Sequence, residues 1–188
     1  AALTYTETGS LDNTAFGYYA LKSQTLGDQC TAIGSYALED CTGWNNTGVG
    51  YKALKNVTSG TSNNAMGVWS GEDLTTGAEN NLMGYGAGQN LTTGEANVAL
   101  GHDALKNITT ASRNIAIGKD AMSQAANSGA NNVAIGYFAL SFGSSASENT
   151  AIGYEAMRQT TTGDENVGVG RVALKTNTTG NKNVAVGA

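Results

Sequence analysis

The five-residue pattern Asn-x-Ala-apolar-Gly returns about every seventeen residues along the chain, and that period limits what the chain can fold into. The closing glycines are Gly17, Gly34, Gly50, Gly67, Gly84, Gly101, Gly118, Gly136, Gly153, Gly170 and Gly187. Eight of their ten intervals are 17 residues, and the other two are 16 and 18. Both exceptions fall in one stretch of the repeat, where Glu39 to Thr42 is a residue short and Ser123 to Ser128 a residue long. A solvent-facing bend absorbs such changes without disturbing a hydrogen-bonded ladder.

Columns read across the copies separate core from surface. The residue before the motif glycine is large and apolar in all eleven copies, from Phe16 to Val186. The one before that is Ala or Gly except at Leu82, and the third is mostly Thr, Val or Ile, with Asn64 and Asn81 as departures. This two-residue alternation predicts a strand with one face inward. Three residues after the glycine comes Ala in nine of ten copies, then Leu or Met in eight, with Gly71 and Gly88 breaking the pattern. A second glycine lies seven residues before the motif glycine at Gly27, Gly43, Gly60, Gly77, Gly94, Gly129, Gly163 and Gly180, and Ala111 and Ala146 fill two further places.

Each repeat therefore reads as strand, glycine turn, short second strand, variable bend and second glycine turn. A unit this small cannot bury an apolar face alone, whereas stacked coils can. The expected fold is all-β: a parallel β-solenoid of about eleven 17-residue coils, rising ~4.8 Å per coil into a rod of roughly 50 Å. Seventeen residues cannot hold two packed helices between turn glycines. The complete absence of Pro suits a structure in which every coil needs its ladder donors.

Ten of eleven copies open on asparagine: Asn13, Asn46, Asn63, Asn80, Asn97, Asn114, Asn132, Asn149, Asn166 and Asn183, with Cys30 in the remaining place. Stacked in register, each amide can donate to one neighbour and accept from the other, so a structural ladder is expected in preference to a ligand-binding row.

Two copies, Asn-Ile-Ala-Ile-Gly at 114–118 and Asn-Val-Ala-Ile-Gly at 132–136, resemble the head repeats of trimeric autotransporter adhesins. The Thr-Thr-Gly bends at 92–94, 161–163 and 178–180 are similar to those of phage tail-fibre repeats. The resemblance implies a left-handed β-roll, association of three chains into a homotrimer, and a role in binding host surfaces.

Residues 1–188 read as a single repeat array. Ala2-Leu3 matches the Ala-Leu column, residues 4–8 match a bend before Gly9, and Ala188 lies one residue past Gly187, so the array starts and ends within a repeat. A window from a longer fibre is expected, with end-to-end stacking of chains into a filament as the alternative.

Little in the chain suits catalysis. Its one histidine, His102, replaces a tyrosine in its column and has no second histidine to work with. Gly84–Gly88 (Gly-Tyr-Gly-Ala-Gly) lacks the lysine and helix start of a phosphate loop. Acidic residues before the motif, such as Glu79, Glu148 and Glu165, do not recur in every coil, so no metal, cofactor or catalytic residue is expected. With only 13 % charged residues and a net charge of -5, no nucleic-acid surface is expected either. No apolar run reaches the ~18 residues of a membrane helix.

Tyr18, Tyr51, Tyr85, Tyr137 and Tyr154 share one column, with Trp69 and Phe138 beside it. They are candidates for interchain packing or for stacking on a cell-surface glycan, and a protein receptor is the other candidate partner. Cys30 and Cys41 form a candidate disulfide if the protein is extracellular. Sequons at Asn45, Asn56, Asn90, Asn107 and Asn177 fall mostly in the bends. An ice-binding solenoid is a further alternative, built on Thr75-Thr76, Thr92-Thr93, Thr109-Thr110 and Thr178-Thr179, but adjacent residues face opposite ways along a strand. The expectation is a structural and adhesive fibre segment at a cell surface or on a virion.

Overall fold

The computed structural model of the chain describes residues 12–23, 27–124, 129–143 and 145–188. The matches proposed at Ala2, Leu3 and Gly9 lie outside these residues, as does most of the longer bend. Eleven three-residue strands follow one another: β1 (Thr14–Phe16), β2 (Thr31–Ile33), β3 (Thr47–Val49), β4 (Asn64–Met66), β5 (Asn81–Met83), β6 (Val98–Leu100), β7 (Ile115–Ile117), β8 (Val133–Ile135), β9 (Thr150–Ile152), β10 (Val167–Val169) and β11 (Val184–Val186). They pair in parallel and in chain order into a single sheet. Each motif column pairs with itself from coil to coil, as in Val98↔Ile115, Ala99↔Ala116 and Leu100↔Ile117. The chain is an all-β solenoid of about ten turns.

The expected second strand is absent among the described residues. Its place is taken by a continuous run of turns, such as residues 51–56 and 102–107. Within this run every second residue is left-handed: φ is +56° at Asp103 and +55° at Leu105, and the same holds at Trp69, Phe138, Leu140 and Val172. The alternation turns the N–H groups of the left-handed residues alternately up and down the axis, while Ala104 and Lys106 between and after them bond back within the turn to Gly101 O and Asp103 O. Asp103 N–H donates to Tyr85 O of the preceding coil at 2.8 Å, and Leu105 N–H to Ala121 O of the following coil at 3.0 Å. Left-handed backbone costs a non-glycine residue roughly 1–2 kcal/mol, and these inter-coil bonds offset it. The twist also explains why Ala104 and Leu105, adjacent in sequence, are both fully buried, which a strand with one inward face does not allow.

The large apolar residue before each motif glycine points outward, and the small one before it points in. Ala99, Ala116, Ala134 and Ala151 have no exposed surface, while Phe16 is 75 %, Met66 51 % and Met83 45 % exposed. The reason is the thinness of the coil. Leucine or methionine from the turn run fills the interior, leaving room for at most a methyl group opposite. A Cβ added at Gly48 would sit 3.2 Å from Leu38 Cγ, and one at Gly168 2.8 Å from Met157 Cγ.

Leu82 follows the same rule by exchange. It puts a leucine where other coils have Ala or Gly, and the leucine column is reduced to glycine on either side of it. A Cβ at Gly71 would lie 2.8 Å from Leu82 Cδ1, and one at Gly88 2.9 Å from Leu82 Cδ2. The three irregularities are one volume-conserving swap. Leu82→Ala is therefore expected to leave a cavity bounded by two glycines and to lower stability by about 3 kcal/mol. The loss is read as a fall in the urea midpoint at unchanged m-value.

A third left-handed column lies just before each asparagine, on the surface, and includes Glu148 at φ +60°. Glycine is at ease there. Glu148→Gly is expected to raise stability by about 0.5 kcal/mol, whereas glycine in a strand interior lowers it. A urea titration of the variant against the parent checks the sign.

Where glycine holds the second turn its φ is ordinary and its constraint is space, although Ala111 and Ala146 are accommodated in the same column. A Cβ on Gly60 would collide with the carbonyl oxygen of Gly77, and one on Gly77 with that of Gly94. These same carbonyls accept the asparagine ladder.

Candidate functional surfaces

The asparagine ladder runs through the interior. From Asn46 to Asn166 the column is almost wholly buried. The backbone N–H of each asparagine meets a side chain in the preceding coil: Asn97 N–H donates to Asn80 Oδ1 and Asn114 N–H to Asn97 Oδ1, both at 3.0 Å. From Asn46 to Asn166 each Nδ2 bonds at least twice, as when Asn97 Nδ2 donates to Asn80 Oδ1 and to Ala111 O, both at 3.0 Å. One amide thus completes the backbone ladder and ties two bends together. With every donor and acceptor engaged and no solvent contact, the column presents nothing to a ligand.

Cys30 interrupts this row. Its own N–H still donates to Asn13 Oδ1 at 2.8 Å, but the next coil meets sulfur in place of an amide oxygen. Cys41, from the aliphatic column that also holds Val57, Leu74 and Leu91, lies against it. Both cysteines are buried free thiols, and both sulfurs lie 3.4 Å from Gly43 O.

The strand sheet presents a continuous, largely apolar surface. The outward residues of β1 to β11 form two columns, roughly 50 Å long and 10 Å wide. One column is wholly large and apolar, from Phe16 to Val186; the other is mostly Thr, Val and Ile. Across β3 to β5 it dips into a shallow groove of about 270 Å³ lined by Thr47, Asn64, Ala65, Met66, Asn81 and Met83. Within that groove Asn64 Nδ2 donates to Asn81 Oδ1 at 3.1 Å.

The aromatic residues line the turn run beside this sheet in three clusters. Tyr18 stacks on Tyr19 at 3.9 Å between centroids, and Tyr36 meets Tyr19 and Tyr51 edge-on at 5.6 and 6.1 Å. Trp69 packs on Tyr85, which stacks on His102 at 4.9 Å. Tyr137 contacts Phe138 and Tyr154. Tyr18, Tyr51, Tyr85, Tyr137 and Tyr154 are exposed. Tyr19 and Tyr36 complete the first cluster without having been expected from sequence, although they share a column with Trp69 and Phe138. Cations lie over several rings: Lys22 on Tyr19 at 4.4 Å, Arg158 on Phe138 at 4.7 Å and Arg171 on Tyr154 at 5.5 Å. The hydrogen bond from Tyr18 to Tyr19 pushes the Tyr18 hydroxyl up to about 12.

Charged groups are paired along the same wall. Glu155 bonds both Lys175 and Arg158 at 2.5 Å, and the Lys175 hydrogen bond holds its carboxyl below the usual glutamate range. Glu39 pairs with Lys22 and Lys55. His102 Nδ1 sits 3.3 Å from Asp103 Oδ2, at the surface and stacked on Tyr85. Among the described residues no three His, Cys, Asp or Glu side chains are grouped to hold a metal ion, and no helix is long and apolar enough to cross a membrane.

The threonines of the bend also stack. Thr75 Oγ1 donates to Thr92 O at 3.1 Å, Thr92 Oγ1 to Thr109 O at 2.9 Å and Thr161 Oγ1 to Thr178 O at 3.0 Å. Three sequon asparagines are similarly engaged: Asn56 with Asp73 Oδ1, Asn90 with Asn107 Oδ1, and Asn107 with Ser123 O. Compared with protein-family models, with curated proteins and with solved structures, the chain matches no family, no protein and no structure.

Proposed function

We propose that the chain is a structural and adhesive fibre segment that works as a homotrimer outside the cell or on a virion, giving reach and attachment to a cell surface. The observation that carries this is the outward face of the sheet. One of its two columns is large and apolar from Phe16 to Val186 and the other is mostly Thr, Val and Ile, a continuous face of the kind that marks an interaction surface. Three copies arranged about a common axis would each bury that face. The resemblance of the Asn-x-Ala-apolar-Gly repeats to adhesin heads and tail fibres supports the same arrangement, including a left-handed coil. The exposed rings beside the sheet are then free to stack on a glycan of the target surface, each offering an apolar face and a polar rim.

The ladders suit a mechanical role. Backbone bonds join each coil to the next, with amide bonds added in most coils and threonine bonds in several, so tension along the axis is shared among many hydrogen bonds. An ice-binding reading is weaker, because Thr75 and Thr92, the first threonines of two of the bends it would use, donate their hydroxyls to the neighbouring coil. Light scattering over a concentration series tests the assembly. A constant mass of three times 19.1 kDa supports the fibre; a mass that climbs with concentration favours an end-to-end filament; a mass of one chain throughout overturns the trimer.

A further inference from the structure

Cys30 and Cys41 stand in columns that otherwise hold asparagine and, in most of the nearby coils, an aliphatic side chain. Both departures occur in adjoining parts of one turn and meet in space. Cys30 removes the amide oxygen that Asn46 would use, and the cysteines replace it between them. The backbone N–H of Asn46 turns to the Cys30 sulfur, and Asn46 Nδ2 lies 3.6 Å from Cys41 Sγ. Both sulfurs also lie within hydrogen-bond reach of the single carbonyl of Gly43, at 3.4 Å each. Two sulfurs on one acceptor and one amide are held close together with no solvent contact.

We infer that Cys30 and Cys41 are a paired oxidation site, closing to an intramolecular disulfide that staples the coil between β2 and β3 when a small-molecule disulfide is the oxidant. The Cys30 thiolate attacks one sulfur of the oxidant, forming a mixed disulfide and releasing one thiolate. Cys41 then gives up its proton and attacks Cys30 Sγ, releasing the second. Two electrons pass from the two cysteines to the oxidant, which leaves as two thiols. Cys30 is the better first attacker. The Cys41 hydrogen bond and the Asn46 N–H bring its thiol down to about 7, while donating that hydrogen bond and burial push Cys41 up. This site does not depend on the fibre reading, since the sulfurs belong to one chain and lie inside it.

The test is refolding of the full chain in a glutathione redox buffer, so that burial does not limit access, followed by acid quench, alkylation under denaturing conditions and intact-mass analysis. The expected product has lost two hydrogens, takes no alkylating agent and melts about 5 °C or more above the reduced chain. Cys30→Asn/Cys41→Leu, which restores the amide and aliphatic columns, is expected to melt at the same temperature in both buffers. Two alkylated thiols, a persistent glutathione adduct, or an oxidised chain that melts no higher than the reduced one would overturn the proposal.

Discussion

Asn97→Ala is expected to lower the stability of the solenoid by about 4 kcal/mol, which for a chain of this length is a drop of roughly 10 °C in Tm. The side chain is fully buried and makes four bonds. Two run from its Nδ2 to Asn80 Oδ1 and Ala111 O, and two arrive at its Oδ1 from Asn114 N–H and Nδ2. Alanine strands the Asn114 N–H and the Ala111 carbonyl in a dry interior, each costing about 1–3 kcal/mol. Asn97→Asp is no remedy, because its second oxygen would face the acceptors Ala111 O and Asn80 Oδ1. The half-buried surface amide of Asn56, bonded to Asp73, supplies the contrast: Asn56→Ala is expected to cost under about 1 kcal/mol. Paired urea titrations separate the two. Equal small losses would mean that the ladder is not what holds the coils together.

Gly101→Ala is expected to do more damage still, beyond about 4 kcal/mol. The φ of Gly101 is +140°, in a region essentially closed to other residues. An added Cβ would also lie 2.7 Å from Gly118 O and 2.8 Å from its carbon. That oxygen is backbone, so relief requires neighbouring coils to separate. In a one-dimensional stack a separated pair of coils breaks nearest-neighbour coupling. Thermal unfolding of the variant is accordingly expected to split into stages, as two shorter arrays melt independently. A variant that melts in one step near the parent temperature would contradict both the sterics and the stacking.

The period, the parallel register and the asparagine column could be read directly from the sequence, because a repeated spacing forces equivalent residues into contact. The direction each apolar column faces could not. Hydrophobicity gives Leu105 and Leu100 the same weight, yet the first fills the interior and the second lies on the outer face. Volume held the answer: Leu82 set against Gly71 and Gly88 shows that the Ala and Leu columns share one space. The left-handed turn run was hidden for another reason. Trp69, Phe138 and Val172 do not favour positive φ, and their backbone obeys the inter-coil hydrogen bonds rather than residue preference. The adjacent Ala-Leu pair was the available sign that no simple strand lay there. The aromatic clusters were half visible, since Tyr19 and Tyr36 belong to the column of Trp69 rather than to that of Tyr18.

The claim that the outer sheet face is covered by other copies is tested most directly by charging it where it is open. Met66 and Met83 project from β4 and β5 into the groove and contribute nothing to the coil interior. Met66→Glu/Met83→Glu should therefore keep the circular dichroism and the thermal transition of a single chain while placing two carboxylates in each buried face. Light scattering of the parent is expected to give three times 19.1 kDa, and of the variant 19.1 kDa. A folded variant that retains the mass of the parent assembly would contradict the account and move the interface elsewhere on the rod.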